Sequence, residues 1–369
     1  MMKNKPKALY IHIPFCEHLC DYCDFPKLQY FRNFASKYLE ALKQELDSYQ
    51  INHQLDTIYV GGGTPTSLED DLFLHLLKII KPYSDGVQEY TFEANPESLS
   101  LEKLQMMKDY GVNRLSIGVE STDDKILKAI NRQHTFKDVQ TAILRARNLG
   151  FDNINVDLII GLPNVLKEAF KKDLENVISL NIEHISCYSL TVHPHTVFFI
   201  KGINEPNDTF SRELYDLAES YLKDNGFIHY EVSNRTKPGR ESLHNFTYWK
   251  DEQYYGIGLG ASGYIDKERY TNTKNIEEYN SGHFKKEVEE ITSKDDKLYY
   301  LMLALRTNRG VLLHEYQERF HEDFYKVKKD VIDEFINNGY LLYDKKEERI
   351  YPTYNGMMVL DQLLMDLMD

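Results

Sequence analysis

The sequence predicts an α/β fold: an incomplete, TIM-like (β/α)6 barrel in residues 1–293 and a small C-terminal winged-helix-like domain in residues 294–369. Three observations predict it. Six short apolar runs, rich in β-branched residues, alternate with segments of helical periodicity, which is the pattern of parallel βαβ units. Side chains capable of chemistry gather just after those runs, where the loops at the C-terminal ends of barrel strands build a site. From Lys294 onward the texture changes to three helical stretches, a charged turn between two short apolar runs, and a last apolar helix.

Taken in order, strands are expected at 8–13, 57–60, 90–92, 114–119, 154–160 and 184–190, with helices at 34–49, 72–80, 101–110, 137–149 and 166–180. Gly111 and Gly150 stand where helix C-caps favour glycine. The strand ends carry, in turn, a cysteine loop, Gly61-Gly62-Gly63-Thr64-Pro65, Glu93-Ala94-Asn95-Pro96, Glu120, and the run from Asp157 to Pro163. In the C-terminal region Leu341-Leu342-Tyr343 and Arg349-Ile350-Tyr351 flank the turn Asp344 to Glu348. Winged helices commonly bind DNA, but residues 310–369 hold 13 Asp and Glu against 7 Lys and Arg, so packing or docking is expected instead. The Met-rich end, Met357 to Met368, is expected to pack on the barrel as a helix.

Composition narrows the class. With 42% hydrophobic and 28% charged residues the chain is an ordinary globular one, and no run approaches the ~20 apolar residues of a membrane span. The basic start, Met1 to Lys7, has no apolar segment before the first strand, so no signal peptide and a cytoplasmic location are expected. A net charge of −14 disfavours nucleic acid and anionic lipid as partners.

Three of the four cysteines lie within eight residues, in Tyr10-x-His12-x-Pro14-Phe15-Cys16-x3-Cys20-x2-Cys23. That is too tight for a disulfide framework. A structural zinc site wants four ligands, and His12 and His18 are poorly placed to complete one. Three thiolates can instead hold three irons of a 4Fe-4S cluster and leave the fourth open to an exchangeable ligand. Cys187, in an apolar run, reads as a small core residue.

This loop, with the aromatic Tyr22 before its third cysteine, resembles that of the radical S-adenosylmethionine (SAM) enzymes. The further set Gly61-Gly-Gly-Thr-Pro-Thr66, Arg114-Leu-Ser-Ile-Gly-Val-Glu120-Ser121, Asn131-Arg132 and Val156-Asp157-Leu-Ile-Ile-Gly-Leu-Pro163 resembles the branch holding oxygen-independent coproporphyrinogen III dehydrogenase and its heme-chaperone relatives. The resemblance implies cluster ligation by Cys16, Cys20 and Cys23. It also implies SAM contacts from Tyr10, Tyr22, Gly62, Gly63, Thr64, Glu93, Glu120, Arg132 and Asp157. These residue types suit such contacts, because glycine lets backbone approach a ligand, carboxylates accept from hydroxyls and amines, and arginine forks onto a carboxylate. The family commonly has glutamine where this chain has Glu120, and an ionised acid there lacks a donor.

Two features separate carrier from enzyme. The dehydrogenase branch has a further cysteine where this chain has Phe25, and an N-terminal extension for which the residues before Cys16 leave no room. The run His244-Asn245-Phe-Thr-Tyr248-Trp249 resembles the His-Asn-x-x-Tyr-Trp signature of the heme-chaperone branch. The resemblance implies His244 as an axial heme ligand, with Asn245, Tyr248 and Trp249 beside the macrocycle. The expected function is therefore a heme chaperone that binds heme, a 4Fe-4S cluster and SAM and passes heme to an acceptor protein, in one setting at the membrane. The alternatives are radical decarboxylation of coproporphyrinogen III and radical SAM methylation of heme. In Thr191-Val-His193-Pro-His195-Thr196 the family commonly has glutamate before the proline, and the two histidines are expected to be solvated. Gly256-x-Gly258-x-Gly260 lacks the acidic partner of a dinucleotide motif.

Overall fold

Six parallel strands form in the expected places: β1 (Ala8–Ile13), β2 (Thr57–Gly62), β3 (Glu89–Ala94), β4 (Arg114–Glu120), β5 (Ile154–Ile160) and β6 (His184–Ser189). The structure is a computed structural model that describes residues 5–368, so part of the basic start, Met1 to Asn4, lies outside the described residues. The strands pair in sequence order. Helices Arg32–Ser48, Asp70–Ile80, Leu101–Asp109, Phe136–Asn148 and Lys167–Ser179 make the crossovers. Their starts are legible locally: Ser100 caps one helix, and Thr135 with Asp138 forms a capping box on another.

Strand parity decides what the barrel can do. One set of alternate residues, including Leu9, Ile11, Ile58, Val60, Leu115, Ile117, Val156 and Leu158, is fully buried in the apolar core. The other set is polar and bonded across the lumen: Tyr59 to Glu93, Asn155 to Ser116, and His184 to Asn155. Barrels of this type commonly fill the lumen with branched apolar layers. Here the apolar core lies outside the sheet, and the inside is a polar tube.

The sheet extends beyond the six strands at both edges. On the β6 side it gains β7 (Ile228–Glu231) and β8 (Asn234–Thr236), and on the β1 side β9 (Tyr254–Ile257), β10 (Ser262–Ile265), β11 (Glu268–Asn272) and β12 (Lys285–Glu290). The order is β12-β11-β10-β9-β1-β2-β3-β4-β5-β6-β8-β7, with β9 parallel to β1. No ladder among the described residues joins the two ends, so the barrel stays open. The edge strand β12 is exposed along its whole length and reads Lys-Lys-Glu-Val-Glu-Glu, charges that block pairing with another chain. The glycine run has a backbone role: a Cβ on Gly256 would sit 1.7 Å from the Ser262 carbonyl oxygen, and Gly258 has φ +111°.

In the C-terminal region β13 (Val311–Leu312), β14 (Leu341–Asp344) and β15 (Arg349–Pro352) form a small sheet in the order β13-β15-β14. Helices Ser293–Ala304, Leu313–Phe320 and Lys329–Asn337 accompany it. The last helix, Leu360–Met368, departs from expectation. It buries Leu360, Leu363, Leu364 and Leu367 in a separate cluster with Tyr300, Leu301 and Phe335, because its apolar stripe faces this small sheet's own helices. Arg319 ties the region back through Asp251 at 2.6 Å. No helix among the described residues is long and apolar enough to cross a membrane.

Candidate cluster and cofactor pocket

The loops after β1 to β6 close around a cavity of about 350 Å³, within the range for a cofactor-sized ligand. The chain runs from β1 into Phe15–Cys16, which pairs with Leu28–Gln29. Leu28 N donates to the Pro14 carbonyl at 2.6 Å and Tyr30 N to the Cys16 carbonyl at 2.8 Å, so the cysteine segment is a stapled loop. Cys16, Cys20, Cys23, Tyr22, Gly62, Gly63, Thr64, Glu93, Glu120, Arg132 and Asp157 all line the cavity.

Each sulfur has a donor or a cation beside it. Thr64 Oγ1 donates to Cys16 Sγ at 3.6 Å, and Arg132 Nη1 to Cys20 Sγ at 3.6 Å. Lys27 bonds the Cys23 carbonyl and opposes the burial that raises the Cys23 thiol. Burial pushes the Cys16 thiol up to about 11, with the Thr64 bond pulling the other way. Donors aimed at sulfur are of little use to neutral thiols and suit thiolates that ligate iron. All three thiols face this cavity, and three thiolates around an open volume are what a 4Fe-4S cluster requires.

Backbone closeness explains the glycines. Gly62 has φ +110°, and a Cβ there would lie 2.4 Å from the His12 ring; one on Gly63 would lie 2.8 Å from the Pro14 carbonyl carbon. Only glycine lets this strip lie against the cysteine loop. Gly62 N donates to Glu93 Oε2 at 2.9 Å.

The carboxylates form the other wall. Burial pushes Glu93 up to about 7 against a bond from Tyr59, and pushes Glu120 up to about 7 against the nearby Arg132 guanidinium. Burial also raises Asp157. SAM carries a sulfonium and an ammonium, and cation binding favours the ionised carboxylates. Binding therefore releases protons. SAM affinity is expected to rise from pH 6 to 7 by up to about tenfold for each carboxylate that must ionise, and to level off above. Calorimetry in buffers of different ionisation enthalpy reads both the affinity and the protons. An affinity that fell with pH would contradict this account, and Glu120→Gln should flatten part of the rise.

Tyr10 stands just under the cavity, its ring 6.1 Å from that of Tyr59, and a second expected group lies farther off. Tyr10 is not among the cavity residues; its hydroxyl bonds His12 Nδ1 at 2.9 Å, and His12 Nε2 meets the Pro26 carbonyl at 2.8 Å, so it props the cysteine loop from below. The His244 group lies at the opposite end of the barrel. The helix Leu243–Trp249 sets its first N–H groups on Glu89, with Leu243 N at 2.8 Å and His244 N at 3.0 Å. His244 is 0% exposed, with Nδ1 2.8 Å from Thr57 Oγ1 and Nε2 2.8 Å from the Tyr248 hydroxyl. Thr57 and Glu89 begin β2 and β3, whereas Gly62 and Glu93 end them. Burial lowers the His244 pKa to about 3. An iron on either nitrogen would have to replace an existing bond. Asn245 and Trp249 flank this floor, half-buried.

Tyr59, Asn95, Ser116, Ile159, Tyr188 and Lys27 also line the cavity and escaped the sequence reading. Strand parity was the available signal for Ser116 and Ile159, an even step from Glu120 and Asp157 respectively. Cys187 is a buried core residue, as expected.

Comparison with known proteins agrees with this geometry. Residues 10–177 match the model of the radical SAM superfamily, and residues 292–359 that of the HemN C-terminal domain. The chain is 38% identical to heme chaperone HemW of Lactococcus lactis, over 99% of both chains, and 38% identical to that of Bacillus subtilis, over 96% and 97%. It is similar in fold to coproporphyrinogen III oxidase (HemN) of Escherichia coli, with a TM-score of 0.86 and 22% identity over 98% of this chain and 90% of that one.

Proposed function

Since the chain belongs to the HemW family of radical SAM proteins, we propose that it binds heme beside a 4Fe-4S cluster and SAM and hands the heme to an acceptor protein. Cys16, Cys20 and Cys23 would hold the cluster. Tyr22, Gly62, Gly63, Thr64, Glu93, Glu120, Arg132 and Asp157 would surround SAM. Held there, the cluster would supply one-electron reducing chemistry to the SAM site. The protein's own side chains orient, charge-match and shield that site: Arg132 and Thr64 at the sulfurs, Glu93 and Asp157 across the cavity. The division at 293/294, with the C-terminal part as a docking element, and a cytoplasmic setting belong to the same reading.

The observation that carries it is Phe25. This residue stands two places after Cys23, lines the cavity mouth and is 63% exposed, so an apolar surface occupies the place of the dehydrogenase cysteine. The Lactococcus lactis and Bacillus subtilis relatives, which match over nearly the full length of the chain, are named heme chaperones. In an anaerobic assay the reconstituted protein is expected to bind hemin with a Soret band and to release it to an apo-acceptor. With SAM, reductant and coproporphyrinogen III it should yield no protoporphyrinogen IX, and turnover there would overturn the carrier assignment.

A further inference from the structure

The lumen on the floor side of the cavity holds three enclosed side chains that the cluster and SAM arrangement does not use. Asn155 on β5 and His184 on β6 are paired in register, and Tyr230 on β7 completes the row; all three are buried. Asn155 Nδ2 donates to Asp157 Oδ1 and to Ser116 Oγ, each at 2.8 Å. Asn155 Oδ1 lies 2.7 Å from His184 Nδ1, and His184 Nε2 lies 2.8 Å from the Tyr230 hydroxyl. Ser242 N donates to that hydroxyl at 3.3 Å, and Ser242 caps the helix Leu243–Trp249. A single file of hydrogen bonds therefore runs along the barrel, from the floor helix to a carboxylate of the cavity.

Every proton in this file has one place. An ionised carboxylate only accepts, so the Asn155 amide turns its NH2 toward Asp157 and its oxygen toward His184. That oxygen needs a donor, which puts a His184 proton on Nδ1. Burial holds the His184 pKa well below its usual value, so the ring keeps one proton and Nε2 accepts from the Tyr230 O–H. The tyrosine oxygen in turn accepts from Ser242. All the donors point toward Asp157, and bonds aligned in a buried row strengthen one another. Ser186 Oγ adds a donor to Asn155 Oδ1 at 3.2 Å, and Ser116 Oγ adds one to Asp157 Oδ2 at 3.4 Å. Neither His184 nor Tyr230 lines the cavity, so their effect on a bound cofactor passes through the carboxylate they hold.

We propose that His184 and Tyr230 are positioning residues for SAM: relayed through Asn155, they aim the Asp157 carboxylate into the cavity. This rests on the reading of Asp157 as a SAM contact. The test is calorimetric SAM binding to the cluster-reconstituted full chain. His184→Leu takes the donor from Asn155 Oδ1 and is expected to weaken SAM binding about fivefold. Tyr230→Phe keeps the ring, removes one O–H, and should weaken it about twofold to threefold. Iron and sulfide should stay at wild-type levels in both. His184→Gln, whose amide can still donate to Asn155, should recover most of the loss. A double-mutant cycle separates aim from general loosening of the barrel. In an Asp157→Asn background, itself weaker than wild type for SAM, neither substitution should cost anything further. Should His184→Leu fail to fold, Tyr230→Phe carries the same cycle. Wild-type SAM affinity in both variants overturns the assignment, and so does an undiminished loss in the Asp157→Asn background. Asp157→Asn with wild-type affinity overturns the SAM-contact reading itself and this inference with it.

Discussion

Cys20→Ala is expected to empty the protein of its cluster, taking iron and sulfide from about four each per chain to well under one after reconstitution. A three-cysteine cluster has no spare protein ligand, and the fourth cysteine, Cys187, is fully buried in the core on β6, where it cannot substitute. The change also removes the sulfur that Arg132 faces at 3.6 Å. That guanidinium is 8% exposed, with Glu120 3.9 Å away. SAM affinity should fall with the cluster, since both the open iron and the poise of Arg132 are lost. Cys20 itself is half-buried in a loop, so melting temperature should move little. Cys187→Ala is the control and should keep its iron. A full complement of iron and sulfide in Cys20→Ala would remove the ligand assignment.

His244→Ala should act on folding. Removing the ring deletes a fully enclosed side chain and leaves the Thr57 and Tyr248 hydroxyls without their 2.8 Å partners. A cavity plus two buried unsatisfied groups costs about 3–5 kcal/mol, which lowers the melting temperature of a chain this long by roughly 5 °C. The pH dependence has a definite sign. The folded-state pKa lies below the unfolded value, at about 3. The stability from a neutral His244 is thus complete above pH ~6.5 and is lost as pH falls toward the folded value, by about 1.4 kcal/mol per unit. Denaturant melts at pH 5 and 7 read this directly. His244→Gln can keep both hydrogen bonds without titrating, so it should lose less stability and flatten the acid limb. Wild-type melting in His244→Ala would refute a floor role for this residue.

The barrel strands were legible because β-branched runs at helix-length spacing leave few alternatives, and the observed strands begin within a residue of the expected places. The glycine strip was legible because few other residue types tolerate φ of +110°. The region 228–290 was not. Its strands are short and mix tyrosines with charges, and their pairing depends on the exposed edge of β1. The place of His244 was also hidden. Its partners Thr57 and Glu89 stand 187 and 155 positions away, and a local motif does not say which end of a barrel its helix will stop.

The polar tube imposes a reading frame on the six strands. A single residue inserted between Thr57 and Tyr59 would turn Tyr59 toward the helices and send an aliphatic neighbour inward, breaking the 2.7 Å bond to Glu93 while opening the outer core. One insertion ahead of Asp157 would do the same to that carboxylate. Drift in this chain is therefore asymmetric: its loops can change length by any number of residues, whereas a barrel strand absorbs a single extra residue only at a bulge, as β4 does between Gly118 and Glu120.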